Sequence, residues 1–260
     1  NLEDFGEYLA IDGKAVQSYA TNYSKETKED GRRDTDANWG TKKYTTSVNS
    51  KGEVVTNKVT WFGYTVHLVV DTKYELPVAF KVTPASNSEQ MEAKEILKAM
   101  HEEQLEKCKY FMADKGYDDT KIIEYLKGKG IAAIIDIRNM WKDGEGTKQY
   151  KDTDVVYTYD GKVYYIDENE NQIKLRYLGY DKSSDSLRYG FKPQYNDNRV
   201  FRIKCDTDKR IFVNVARDSK KWAREYKKRT SVERVNGRID RDYEFEDHTI
   251  RGIKKMDLYV

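Results

Sequence analysis

The chain of 260 residues carries 47 Lys and Arg against 45 Asp and Glu, a formal net charge of +2. That length makes one large domain or two modest ones. The near cancellation of charge excludes a uniformly basic nucleic-acid sponge and an acidic disordered tail, so any nucleic-acid surface is a local patch. Hydrophobic residues make only 38%, but 21 Tyr, 8 Phe and 4 Trp compensate, since each ring buries a large area. No apolar run reaches the roughly 18 residues of a membrane span. Cys108 and Cys205 stand far apart in sequence, neither a disulfide framework nor a zinc set, and a reducing, cytoplasmic setting fits. With Asn1 first and no leader pattern, the chain reads as a piece of a longer or processed protein.

Residues 6–13 read as a short strand with an acid, Asp12, at its end. Residues 14–58 are polar, with charged clusters such as Arg32-Arg33-Asp34-Thr35-Asp36, and read as loops and a short helix. Two strands follow at 59–71 and 75–83, joined as in a hairpin. Ser86 and Glu89 have capping-box spacing, and Met91, Ile96, Leu97, Met100 and Leu105 carry helical periodicity to about residue 106. A strand at 109–113, a helix at 119–127 stopped by Gly128 and Gly130, and a buried strand at 131–137 complete this α/β texture. From 139 to 215 the pattern turns all β. It holds a hairpin around Asp160-Gly161 and strands at 172–178, 199–205 and 210–215. Its Tyr and basic residues, read as exposed, suit stacking and phosphate contact with DNA. A helix is expected over 218–238.

Several chemistries are absent. There is no GxxxxGK[ST] phosphate loop and no G-x-S-x-G elbow. His101-Glu102 starts like a zinc-protease helix, but Leu105 stands where the second His belongs. His67, His101, His248 and the two cysteines share no ligand spacing, and His67, inside an apolar strand, reads as a core histidine. The positive signal is a set of strand-end carboxylates: Asp12, Asp71, Asp114 and Asp136. Such acids either start turns or meet beyond the strand ends of a sheet, where their repulsion calls for a hard divalent cation. On one continuous helix, Trp222, Tyr226, Arg229 and Glu233 would lie within an arc of about 60°. That face is too polar for a core and suits gripping phosphate and metal. Ten Lys and Arg against four acids between 217 and 241 make this stretch locally basic.

These residues resemble a family. The segments Ala10-Ile11-Asp12-Gly13-Lys14, Trp61-Phe62-Gly63-Tyr64, Val69-Val70-Asp71-Thr72, Val82-Thr83-Pro84-Ala85 and Ala113-Asp114-Lys115-Gly116-Tyr117, with Tyr226-x2-Arg229-x3-Glu233, are similar to the DDE transposases of bacterial insertion sequences. The last is the Y-(2)-R-(3)-E signature of one large branch. The resemblance implies an α/β, RNase H-like mixed sheet flanked by helices, as in retroviral integrases. Its catalytic core would be 1–138 and 216–260, interrupted by an inserted β-rich subdomain at 139–215. It implies Asp12, Asp114 and Glu233 as catalytic acids holding Mg2+ or Mn2+, two ions in all, and leaves Asp71 and Asp136 as turn residues.

The same resemblance implies DNA binding by Tyr226 and Arg229; on the basic stretch around them, Trp222, Lys227, Lys228, Arg234 and Arg238 are expected to bind DNA as well. The implied reaction is metal-dependent cleavage at transposon ends and transfer of the 3′-OH into target DNA. A homodimer on double-stranded DNA, in a nucleoid-associated cytoplasmic setting, goes with it. A nuclease without strand transfer and a non-catalytic DNA-binding remnant are the alternatives. One departure stands out: the family usually places Lys or Arg seven residues after the Glu, where this chain has Asp240. Relatives also generally continue into a further apolar helix and carry an upstream DNA-recognition domain.

Overall fold

A computed structural model of the chain describes residues 2–20, 34–48 and 54–260. The architecture is mixed α/β. Strands β1 (Tyr8–Gln17), β2 (Asn38–Val48), β3 (Val54–Asp71), β4 (Leu76–Pro84), β5 (Tyr110–Ala113) and β6 (Ala132–Ile135) form a mixed sheet in the order β2-β3-β1-β5-β6, with β4 also on β3. The α-helices are α1 (Glu89–Ala99), α2 (Glu102–Lys107), α3 (Thr120–Gly128), α4 (Lys220–Lys227), α5 (Thr230–Tyr243) and α6 (Ile253–Tyr259). By contacts the chain divides into two compact units. One holds Asn1–Ala10, Asp71–Tyr74 and His101–Thr230; the other holds Ile11–Val70, Glu75–Met100 and Ser231–Val260.

In the first unit, Tyr8, Leu9 and Ala10 of β1 pair in parallel with Tyr110, Phe111 and Met112, and β5 pairs in parallel with β6. Parallel strands need a crossover, and α3 supplies it. Asp119 caps that helix by accepting from the Lys121 and Ile122 amides at 2.7 and 3.2 Å, a cap worth about 1 kcal/mol. Ile122, Ile123 and Leu126 form its buried side. Phe111, Met112, Ala113, Ile134 and Ile135 are fully buried, as expected of parallel strands covered on both faces.

The remaining strands of this unit are β7 (Lys148–Gln149), β8 (Val155–Tyr157), β9 (Val163–Ile166), β10 (Gln172–Lys174), β11 (Arg176–Asp181), β12 (Ser186–Gly190) and β13 (Val200–Lys204). They make one four-stranded and one three-stranded antiparallel sheet. Their core is aromatic: Tyr150, Tyr157, Tyr189, Phe191 and Phe212 are buried together with Leu187 and Ile203. The tyrosines expected to face DNA therefore largely fill this core. The strand expected at 210–215 is a turn instead, because the Asp208 carboxylate accepts from the amides of Arg210 and Ile211 at 2.9 and 3.1 Å.

In the second unit, β2 and β3 form a long antiparallel hairpin from Asn38↔Gly63 to Val48↔Val54. The loops and short helix expected over 14–58 give way in part to strand, since β1 continues to Gln17 and β2 spans Asn38–Val48, while 18–20 and 34–37 are loop as expected. Arg32 and Arg33 lie outside the described residues. β1 and β3 run in opposite directions, since Ser18 N donates to Phe62 O at 2.9 Å and Thr72 N to Tyr8 O at 2.8 Å. Gly63 is required at this crossing. A Cβ there would meet Val16 O at 2.2 Å and Ser18 N at 2.6 Å, closer than any side chain tolerates.

The helix expected from residue 86 to about 106 is broken. Met100 and His101 both turn extended, with ψ of 143° and 141°, so α1 and α2 are separate. Ser86 does not cap; Ser88 holds the cap position, and the Ser86 hydroxyl instead accepts from Asn38 Nδ2 at 3.2 Å. Both α1 and α6 pack on β4. Among the described residues, no helix is long and apolar enough to cross a membrane.

Candidate active site

The second acid, Asp114, directly follows β5, and Asp136 directly follows β6. Because these parallel strands end in register at Ala113↔Ile135, both carboxylates emerge at the same edge, where open sheets place their ligands. Each uses one oxygen on the backbone: Asp114 accepts from the Gly116 amide at 2.7 Å and Asp136 from the Ile137 amide at 2.8 Å. Asp71 is bound more fully, its buried carboxylate accepting from Gly6, Lys73 and Tyr74 at 2.8, 3.0 and 2.8 Å, as a turn residue does.

Helix α4 packs on β5 and β6, capped by Ser219, whose hydroxyl accepts from the Trp222 amide at 3.0 Å. Spacing of four residues puts Trp222 and Tyr226 on one face, and their rings stack at 4.7 Å and 13°. The Arg217 guanidinium lies 5.9 Å from the Trp222 ring and that of Arg229 lies 5.8 Å from the Tyr226 ring. The result is a row of cation, two rings and cation. Burial pushes the Tyr226 phenol up, with the charges of Asp136 and Asp114 adding to that and Arg229 opposing it. The signature Tyr therefore sits within electrostatic reach of Asp114 and Asp136.

The lysines beside them behave differently. Tyr8 and Tyr110 stack at 5.3 Å and 6°. Lys228 Nζ lies 3.5 Å from the Tyr8 ring, and Lys221 Nζ lies 5.3 Å from the Tyr110 ring. Lys228 also pairs at 2.5 Å with the buried carboxylate of Glu225, which Arg224 contacts at 2.9 Å. Of the two lysines expected to bind DNA, Lys227 is exposed, whereas Lys228 is half-buried and paired with Glu225.

The continuous helix expected over 218–238 is two helices. The amides of Lys228 and Arg229 bond three residues back, to Glu225 and Tyr226, a tighter turn than the α-helix. No Gly or Pro marks the break. Glu233 then lies in the first turn of α5 and in the second unit, exposed. Trp222, Tyr226 and Arg229, expected on one helix face with Glu233, fall in the first unit and Glu233 in the second. Arg234 and Arg238, expected on DNA, both reach the Glu75 carboxylate, at 2.5 and 2.8 Å, and hold it below the usual carboxylate range.

Asp12 does not end its strand, as expected, but lies in the middle of β1, with Oδ1 accepting from the Gly13 amide at 2.9 Å. Two residues on, Lys14 Nζ contacts Asp240 at 2.6 Å and Glu246 at 2.7 Å. His67 is buried with Nε2 3.1 Å from Thr83 Oγ1, and burial pushes its pKa down to about 4, so it is a neutral core group. Asp12 and Glu233 belong to one unit and Asp114 to the other. Among the described residues, no three His, Cys, Asp or Glu side chains are grouped so that they could hold a metal ion. The donor set of the three acids, all carboxylate oxygen, is nonetheless the kind a hard divalent cation takes.

Two participants escaped sequence reading. Arg217, counted there only as one more base, is buried, and its guanidinium donates to Arg210 O at 2.8 and 2.6 Å and also to Ile135 O. Lys14 has no role implied by the Ala10–Lys14 segment that contains it. Its only signal was the two-residue spacing from Asp12, which puts both on one strand face.

No curated protein and no solved structure matches the chain. A family model described as the transposase DDE domain matches residues 9–258. That span takes in β1 with Asp12, the strand-end acids, the α4 aromatic row and Glu233, and the chain belongs to the transposase DDE domain family.

Proposed function

We propose that this transposase domain cleaves DNA at transposon ends and transfers the freed 3′-OH into target DNA. The observation that carries the reading is the stacked Trp222–Tyr226 pair with Arg229, held within electrostatic reach of Asp114 at the edge of the parallel strands. Guanidinium and phenol grip a phosphate oxygen by charge and hydrogen bond. Asp12, Asp114 and Glu233 supply carboxylate donors for Mg2+ or Mn2+, which would activate the attacking oxygen and stabilise the leaving one. These acids do no nucleophilic chemistry themselves. Arg229 and Tyr226 orient the scissile strand, and such positioning is the main demand of phosphoryl transfer.

The fold we infer is RNase H-like, with residues 1–138 and 216–260 as core and 139–215 as an inserted β-rich subdomain, acting as a homodimer on DNA. The test uses plasmid DNA carrying the inverted repeats that flank the coding region. Wild-type protein is expected to nick and join ends when Mg2+ is added. Glu233→Gln, which keeps shape and removes one charge, is expected to lose nicking while keeping its melting temperature and DNA affinity. Wild-type nicking rates in that variant would overturn the assignment of Glu233, and nicking without joining would make the protein a nuclease.

A further inference from the structure

We infer that the Lys14–Asp240 ion pair is a clip that sets helix α5 in register with strand β1 and thereby presents Glu233 to Asp12. The inference rests on the assignment of these two acids proposed above. Asp12 and Lys14 are two residues apart on β1 and share one face of the strand. Glu233 and Asp240 are seven apart on α5, about 700° of rotation, so they share one face of the helix to within about 20°. The contact that joins the two faces is direct. Lys14 Nζ lies 2.6 Å from Asp240 Oδ2 with the lysine side chain only 11% exposed, and Glu246 holds the same ammonium at 2.7 Å.

The direction of the helix follows from other contacts of this unit. Arg234, in the first half of α5, and Arg238, just past its middle, reach back to Glu75, in the link just after β3. Toward its end, Ile239 and then Phe245 belong to the apolar cluster of Val16 and Phe62. β3 runs opposite to β1, so its end lies beside the start of β1. Helix and strand therefore run the same way. Stepping back from the clip, Asp12 is about 6.8 Å along the strand and Glu233 about 10.5 Å along the helix. The mismatch of about 4 Å is less than one helical turn. A helix slipped by one residue would turn Glu233 about 100° from that face.

The clip also accounts for the departure at Asp240. Where the resemblance calls for a cation on the helix, this chain has the carboxylate there and brings the cation from β1. One oxygen of Asp240, Oδ1, is buried without a hydrogen-bond partner, so the pair is held by geometry rather than by a saturated network. Asp240 and Lys14 act as positioning residues; neither is asked to touch the reacting phosphate.

The experiment compares Asp240→Asn, Lys14→Asp, Asp240→Lys and the exchanged pair Lys14→Asp/Asp240→Lys. Each is read by single-turnover nicking and, independently, by crosslinking. For the second readout, Asp12→Cys/Glu233→Cys is built into the wild-type and clip-variant backgrounds and treated with a short bis-methanethiosulfonate; the native Cys108 and Cys205 are buried. With the clip intact the crosslink is expected to form quickly. Asp240→Asn is expected to slow it tenfold and to slow nicking tenfold, with DNA affinity and melting temperature nearly unchanged. The exchanged pair is expected to recover both to within threefold. Equal crosslinking rates with and without the clip, or an exchanged pair no better than its folded single variants, would overturn the inference. If instead the crosslink follows the clip but Glu233→Gln still nicks, the clip stands and the assignment of the acid falls.

Discussion

The layer of β5, β6 and α3 and the block of β7 to β13 solve the same packing problem with different side chains. The first buries Ile122, Ile123, Leu126, Ile134 and Ile135 around four-residue strands sealed on both faces. The second has strands as short as two or three residues and fills the space with rings. Tyr157 meets Phe212 edge-on at 5.0 Å, and Tyr165 meets Phe191 at 5.3 Å. A short strand brings few side chains inward, so each must bring more area, and a ring brings the most. Aromatic content in such a block is thus a property of its core before it is a property of its surface.

The largest expected effect comes from removing one ring. Phe212→Ala is expected to cost about 3–5 kcal/mol and to melt the aromatic block, while the methyl NMR signals of Ile122 and Ile134 persist. Leu126→Ala costs about 2–5 kcal/mol and does the reverse. Simultaneous loss of both sets of signals in either variant would break the comparison.

Next in size is Arg217, which ties the end of β6 to the Arg210 turn. Burial pushes its pKa down to about 10, with the charges of Asp118 and Asp136 opposing that. Arg217→Ala leaves buried carbonyls unpaired and is expected to cost about 3 kcal/mol by denaturant unfolding. Arg217→Lys is expected to recover little, since one ammonium cannot reproduce the planar fork. Full recovery by Lys would mean that charge alone, rather than the two-ended bridge, joins these regions.

The smallest effect sharpens the contrast from the second unit, where a carboxylate takes the central place. Burial raises the Asp34 pKa, but hydrogen bonds from Ser18, Tyr64, Gly252 and Ala37 outweigh it and leave the group below 3.8. A carboxylate that titrates lower when folded adds stability above its ordinary value and loses it as pH falls through the lower folded value. Asp34→Asn is expected to cost about 2 kcal/mol at neutral pH, and the difference should shrink as melting is followed into that acid window. A pH-independent difference would assign the effect to packing.

The comparison also explains what could be read from sequence. The strands expected at 109–113 and 131–137 and the helix at 119–127 match β5, β6 and α3 closely, because aliphatic runs bounded by Asp and Gly have few other uses. The strand expected at 210–215 is absent because Ile211, Phe212, Val213 and Val215 are buried without strand pairing. β2 is missed for the opposite reason: its Thr-Lys-Lys-Tyr-Thr-Thr-Ser run offers no apolar face by sequence, although its β-branched residues favour strand.

For the candidate site, four-residue spacing revealed the Trp222–Tyr226 stack. The break at Lys228 and Arg229 could not be seen, since nothing in their residue types forbids helix. Nor could spacing show that Arg234 and Arg238 would meet Glu75, a partner 159 and 163 residues away.

The ion pairs along this stretch bear on how the protein would respond to salt. Of the ten cations between 217 and 241, Arg224, Lys228, Arg234, Arg238 and Arg241 already face a carboxylate. A cation so neutralised has little left to offer a phosphate, and it displaces few of the small ions condensed on a duplex. Each phosphate newly neutralised steepens the fall of log K with log salt by about 0.9. The titration of DNA affinity with salt should therefore count the cations outside these pairs, Lys220 and Lys227 among them, rather than the formal charge of the segment.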